Sequence, residues 1–372
     1  MKKVLVTGGA GFIGSFLVDR LVELGHEVTI YDNLDPQVHL GGKPPSFLNT
    51  ESRFVKADVR DYETFKKEIL DAEVIFHYAA AVGVGQSQYC VKYYVDVNCG
   101  GTANFLDVLA NNSHNVQKVI VASSMSTYGE GRYSCNKHGD VTPNARTPEK
   151  MASGQWEMEC PNCGRSVHPM PTDETKEQVC SSIYAMTKRD QEEMVLNIGS
   201  TYGIPAVALR FFNVYGPRQS LSNPYTGVAA IFMSRIKSCH QPVIFEDGNQ
   251  SRDFVSVHDI VQASILAMEK DEANYSSFNV GTGKKTTILD IANTLIELYD
   301  TPEIQPDVKN AFRKGDIRHC FADISRIKET LGYRPEVSLD DGMRELFEWS
   351  RYADSEDRFE QVACEMEARG IV

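Results

Sequence analysis

The sequence predicts an α/β fold: a doubly wound parallel sheet with a smaller C-terminal α/β lobe and a zinc-knuckle-like insertion. Three observations predict it. Short β-branched runs alternate with helix-like stretches through the first 130 residues. A glycine-rich turn, TGGAGFIG, joins the first run to the first helical stretch. Residues 131–181 then break the rhythm with five prolines and the turn ECPNCGR.

The elements follow in order. KVLVT reads as a buried strand, and SFLVDRLVELG as a helix with Leu17, Leu21 and Leu24 at helical spacing and Gly25 as its C-cap. EVTIYDN, EVIFHYAA and KVIVASS repeat the strand pattern, which argues a parallel sheet covered on both faces. A connection as long as 131–181 should be an inserted subdomain. SIYAMTKRDQEEMVLNIGSTYG then reads as a long helix and PAVALRFFNVYG as a strand running into a loop. From about residue 214, turns, short strands (PVIFEDG, SSFNVG) and helices suit a smaller lobe. Residues 1–213 are thus expected to form one domain carrying the insertion. Residues 214–372 are expected to form mainly a second lobe, with segments returning to the first. The last helix should present Phe359, Val362 and Met366 on one face.

Composition narrows the function classes. A chain of 372 residues accommodates one large domain and a lobe. The net charge of −13 argues against nucleic acid, whose phosphates need a basic face. No apolar run reaches the roughly 18 residues of a membrane helix. The N-terminus, MKKVLVTGG, lacks the apolar stretch of about 7–15 residues of a signal peptide. A cytoplasmic protein without membrane partners is expected. Five of the nine cysteines (Cys90, Cys99, Cys239, Cys320, Cys364) are scattered, as suits reduced thiols.

The turn after the first strand carries Gly8, Gly11 and Gly14, and reads as GxGxxG through Gly9, Gly11 and Gly14. Glycines there permit a tight turn and let the backbone approach a pyrophosphate at the helix N-terminus. This is the Rossmann-type arrangement. Asp32 ends the second strand, 18 residues after Gly14. A carboxylate at that place holds the adenosine ribose hydroxyls and repels a 2′-phosphate, selecting NAD over NADP. Asp58 ends another strand, where it would meet the adenine edge.

TGGAGFIG, SSMSTYG (123–129), YAMTK (184–188), RFFNVYGPRQ (210–219) and RDFVSVHD (252–259) together resemble the extended short-chain dehydrogenase/reductase family. Within it, the chain looks like an NAD-dependent nucleotide-sugar epimerase or dehydratase. The resemblance implies Ser124, Tyr184 and Lys188 as the catalytic set. Tyr184 and Lys188, four apart on a helix, share a face, so the ammonium is expected to favour the phenolate and lower the tyrosine's usual pKa of about 10. Phe12, Ile13, Asn33, Val59, Ala79, Ala80, Ala81 and Asn98 complete the implied cofactor wall. The implied substrate residues are Val84, Gly85, Gln86, Ser124, Ser126, Asn213 and Val228, with Phe245 beneath the base and Arg252 and Arg313 on the diphosphate.

Dehydratases of this family carry an Asp–Glu pair just after the hydroxyl residue, where this chain has Met125 and Ser126. That favours a 4-epimerase working through a transient 4-keto sugar. DNLDPQVH, AAAVGVGQS and the insertion look most similar to dTDP-L-rhamnose 4-epimerases, which implies dTDP-L-rhamnose and dTDP-6-deoxy-L-talose as the sugars. A UDP-glucose or UDP-glucuronate 4-epimerase, a dehydratase or dehydrogenase, and a silent NAD-binding protein are the alternatives. Family likeness also implies a homodimer, through helices at about 96–111 and 182–202. In the insertion, Cys135 and His138 with Cys160 and Cys163 supply four ligands for a closed, structural zinc site. His168 is a rival for the fourth position.

Overall fold

The structure, a computed structural model, describes residues 1–225, 227–313 and 315–370. The β-branched runs form β1 (Lys3–Thr7), β2 (Glu27–Asp32), β3 (Arg53–Lys56), β4 (Val74–His77) and β5 (Lys118–Ser124). Three short strands of the insertion follow, β6 (Arg132–Cys135), β7 (Gly139–Val141) and β8 (His168–Met170), and then β9 (Ala206–Phe211). The main sheet has seven parallel strands in the order Ser276–Val280, β9, β5, β4, β1, β2, β3. The order in which strands are added reverses between β1 and β4, and the crevice for a dinucleotide opens at such a switch point.

Strand alternation distributes the core. Val4 and Val6 face one side, where they pack with Leu17 and Leu21 of the first helix and Ile260 of the helix Val257–Glu269. Leu5 faces the other side, with Phe65, Phe105 and Val195. Every residue of β4 and of β9 is buried, as strands covered on both faces require. A third core, including Phe232, Leu295 and Leu346, fills the smaller lobe. Among the described residues, no helix is long and apolar enough to cross a membrane.

The insertion has more structure than its composition suggests. β6 pairs antiparallel with β7 and β8 over a small core of Tyr133, Cys135, Met158, Cys160 and Val167. It leaves and rejoins the body at one place: Gly131 N donates to the His319 carbonyl (2.8 Å) and Thr172 N to that of Phe321 (2.8 Å). An ion cluster ties it down there. The Arg318 guanidinium, without solvent exposure, donates to Glu157 of the insertion (2.6 Å) and to Glu246 (2.9 Å) and Asp247 (2.7 Å) of the lobe. Arg146 of the insertion pairs with the same Glu246 (2.8 Å). The C-terminal helix Phe359–Glu367 buries Val362 and Met366, while Phe359 stacks under Arg235 (4.5 Å). Met366 lies against Gly85, and Glu365 accepts from the Tyr225 hydroxyl (3.1 Å).

Candidate active site

The glycine turn makes its closest approaches where side chains would not fit. Gly8 has φ +70°, and a Cβ there would lie 2.9 Å from Ala79 N. A Cβ on Gly14 would run into the Gly8 carbonyl oxygen. The obstruction is backbone and cannot swing aside. Gly14→Ala is therefore expected to remove bound NAD from the purified protein and lower its melting temperature by several degrees, as cofactor absorbance and a thermal scan would show.

Asp32 is buried behind this turn. Its Oδ2 accepts from Ala10 N (3.1 Å) and its Oδ1 from Leu34 N (2.9 Å), with His39 Nε2 standing 3.8 Å from that same Oδ1. Burial pushes the Asp32 carboxyl up, against the N–H of Leu34, His39 and the N–H of Ala10. Asn33 Nδ2 donates to Asp58 (2.9 Å), which the Arg60 guanidinium also grips. Arg60 is the main cause holding the Asp58 carboxyl down at about 2.

These residues border one cavity of about 480 Å³. Its wall holds Gly8, Gly11, Phe12, Ile13, Gly14, Asp32, Asn33, Asp58, Val59, Ala79, Ala80 and Ala81 at the cofactor end, and Val84, Gln86, Ser126, Asn213 and Val228 beyond. Ser124, Tyr184 and Lys188 lie on it together. Asn98 stands behind the wall, accepting from Ala81 N (2.7 Å) and donating to Thr187 (2.9 Å). Gly85 stands behind it too, under Met366. Phe245, Arg252 and Arg313 are outside this wall. Arg313 stacks on Phe245 (4.6 Å) and pairs with Asp316 (2.9 Å), while Arg252 donates to the carbonyls of Ser251, Ile317 and Arg318. Sequence reasoning missed His39, Tyr225 and Asn223, which also border the cavity. DPQVH held a signal for His39, a histidine close after a strand-ending aspartate. Tyr225 and Asn223 sit in an irregular loop with no period to read.

Ser124 ends β5, and its hydroxyl accepts from Ser126 N (3.2 Å). Tyr184 and Lys188 sit one turn apart on the helix Ile183–Tyr202, which Ser182 caps by accepting from Ala185 N (3.1 Å). The ionisation expected from their spacing is reversed. Burial pushes the Tyr184 phenol up to about 12, with the Ser124 hydroxyl opposing. Burial pushes the Lys188 amine down to about 7, with Cys99 opposing. Desolvation disfavours both charged forms, and in this enclosed site it is the largest influence on each.

In the insertion, the ligand atoms of Cys135, His138, Cys160 and Cys163 all lie within 4.8 Å of one another. Cys135 Sγ is 3.8 Å from Cys163 Sγ and 3.7 Å from His138 Nδ1, and Cys160 Sγ is 3.4 Å from that nitrogen. Sulfurs about 2.3 Å from a tetrahedral zinc stand about 3.8 Å apart, so the donor set fits that metal. His168 is exposed on β8 and outside the group.

Comparison with known proteins agrees with this geometry. Residues 4–150 match the NAD dependent epimerase/dehydratase family, and residues 164–346 match GDP-mannose 4,6 dehydratase. The dTDP-L-rhamnose 4-epimerase of Burkholderia thailandensis is 35% identical over 94% of this chain and 94% of its own. The UDP-glucose 4-epimerase of Thermotoga maritima, solved with UDP-glucose, superposes with a TM-score of 0.77 at 32% identity, over 94% of this chain and 98% of that one. The UDP-glucuronic acid 4-epimerase of Bacillus cereus, solved with UDP-glucuronic acid and NAD, gives 0.76 at 26%, over 94% and 99%. The glycine turn, the buried Asp32 and the Ser124–Tyr184–Lys188 set thus stand in familiar company, and the chain belongs to the NAD-dependent epimerase/dehydratase family of extended short-chain dehydrogenase/reductases.

Proposed function

We propose that this chain is an NAD-dependent nucleotide-sugar 4-epimerase that interconverts dTDP-L-rhamnose and dTDP-6-deoxy-L-talose. The observation that carries the chemistry is Ser124, Tyr184 and Lys188 together on one cavity wall, with Met125 and Ser126 following the serine. Among the described residues bordering the cavity, the carboxylates are Asp32, Asp35 and Asp58. None belongs to the β5 end, so elimination of water lacks an acid–base pair there. Bound NAD would take the C4 hydride and return it to the opposite face. Tyr184 Oη accepts the C4 hydroxyl proton and later gives it back, while Ser124 Oγ holds the reacting oxygen.

The sugar end favours an uncharged, apolar ring substituent. Val82, Gly83 and Val84 border it with Gln86, Asn223 and Tyr225, and no cationic side chain stands among these. A methyl at C5 suits that wall better than a carboxylate. The 35% identical dTDP-L-rhamnose 4-epimerase supports the same substrate. A UDP-hexose 4-epimerase is the second reading, favoured by the likeness to the UDP-glucose enzyme. The same proposal has zinc in the Cys135, His138, Cys160 and Cys163 site as a structural ion. It also has two copies meeting through the helices at about 96–111 and 182–202, the second of which exposes Met186 and Tyr202.

Incubation with dTDP- and UDP-sugars, followed by NMR of the products, tests the substrate. Epimerisation of dTDP-L-rhamnose at C4, without build-up of reduced cofactor, is the expected result. Turnover of UDP-glucose alone would favour the second reading.

A further inference from the structure

The hydrogen bonds around Lys188 form a closed chain whose directions are determined. The Thr102 hydroxyl donates to the Asn98 carbonyl (2.6 Å), so it acts as acceptor toward its other neighbours. Those are Gln191 Nε2 (2.9 Å) and His77 Nε2 (3.0 Å). The amide nitrogen of Gln191 must therefore face Thr102, and its oxygen faces Lys188 Nζ at 2.8 Å. On the far side, the Thr7 hydroxyl accepts from Tyr78 N and Ala79 N (3.1 Å each), so it donates to His77 Nδ1 (3.1 Å). His77 is thus neutral with its proton on Nε2, and burial holds its pKa down at about 3. Thr7, Thr102 and Gln191 have no solvent exposure.

Resting on the reading of Tyr184 and Lys188 as the reacting pair, we infer that Gln191 is a positioning residue: its uncharged carbonyl fixes the lysine amine in one direction without neutralising it. An ammonium has three donors. One is committed to Gln191, which leaves two for the cavity side. A glutamate in the same place would hold the amine equally well but would cancel its charge as Tyr184 experiences it. The other titratable groups facing the amine are uncharged near neutral pH and bring no countercharge to it. They are Tyr184 on the same helix, His77 on β4, and Cys99 on the Val95–Gly100 segment, whose thiol donates to Asp190 (3.8 Å) and is itself pushed up to about 11, chiefly by burial. Burial, with Cys99 opposing, pushes the Lys188 amine down to about 7.

The test uses the full chain with its bound NAD, and compares Gln191→Leu, Gln191→Glu and Tyr184→Phe. Gln191→Glu is nearly isosteric and is the decisive variant. Its kcat–pH profile is expected to move its acid limb up by about one unit, because the added carboxylate makes the phenolate harder to form. Gln191→Leu is expected to lower kcat by about tenfold with KM and NAD content unchanged. A Gln191→Glu profile that overlays the wild type overturns the inference, whatever the leucine variant does. Tyr184→Phe separates the two layers. If it is inactive and the Gln191→Glu profile is unmoved, only the inference fails. If it retains turnover, the reading of the reacting pair fails with it.

Discussion

Tyr184→Phe is expected to lower kcat by at least about a thousandfold while bound NAD and melting temperature stay near those of the unaltered chain. General acid–base catalysis by one positioned group contributes on the order of 10² to 10⁴. In the proposed mechanism the same oxygen serves in both half-reactions, so its loss acts on each. The ring is retained in the variant, and with it the edge contact to Tyr94 at 6.4 Å and the packing with buried Ala81 and Val97 and half-buried Cys90 and Ile183. What disappears is a hydroxyl whose pKa burial pushes up to about 12, with the Ser124 hydroxyl opposing. NMR of the product mixture at matched enzyme concentration measures the effect. Substantial turnover by the phenylalanine variant would remove Tyr184 from the mechanism.

Cys160→Ser is expected to empty the proposed zinc site and unfold the insertion while the main sheet survives. The five-residue core of the insertion includes Cys135 and Cys160 themselves, so little apolar area remains to hold it once the metal is gone. Structural zinc contributes on the order of 10 kcal/mol to small domains of this kind, so losing one of four ligands removes most of what the segment has. The damage should spread to the lobe. Arg146 donates to the Asp316 carbonyl (3.0 Å), and Asp316 pairs with Arg313. Metal analysis should show about one zinc per chain before the change and none after. Protease cleavage within 136–170 should appear only in the variant. Cys180→Ser is the control, since that thiol contacts the Thr127 carbonyl and stands apart from the cluster.

The parts of this molecule written locally were legible. β-branched runs announced β1, β2, β4 and β5, and glycines at fixed offsets announced the turn. The grouping of Cys135, His138, Cys160 and Cys163 was legible because two short-range pairs needed only one long-range contact to join them. Long-range pairing was less accessible. SSFNVG reads as part of the smaller lobe, yet Ser276–Val280 joins the main sheet beside β9, a partnership of residues about seventy apart. The ionisation of Tyr184 and Lys188 was misread for a similar reason. Spacing shows that two side chains share a helix face, but the walls that desolvate them come from β4, β5 and the Val95–Gly100 segment. Arg252 and Arg313 match a motif, but what their guanidinium groups touch depends on how residues 313–318 fold back.

Gly131 and Thr172 both pair with the short stretch His319–Ala322, so forty residues of excursion begin and end at nearly the same point. Such a hairpin-like root lets an appendage be lengthened, shortened or exchanged between sister proteins without moving the scaffold beneath it. The exception would be Arg318, which would be left shut away from water with one acidic neighbour fewer.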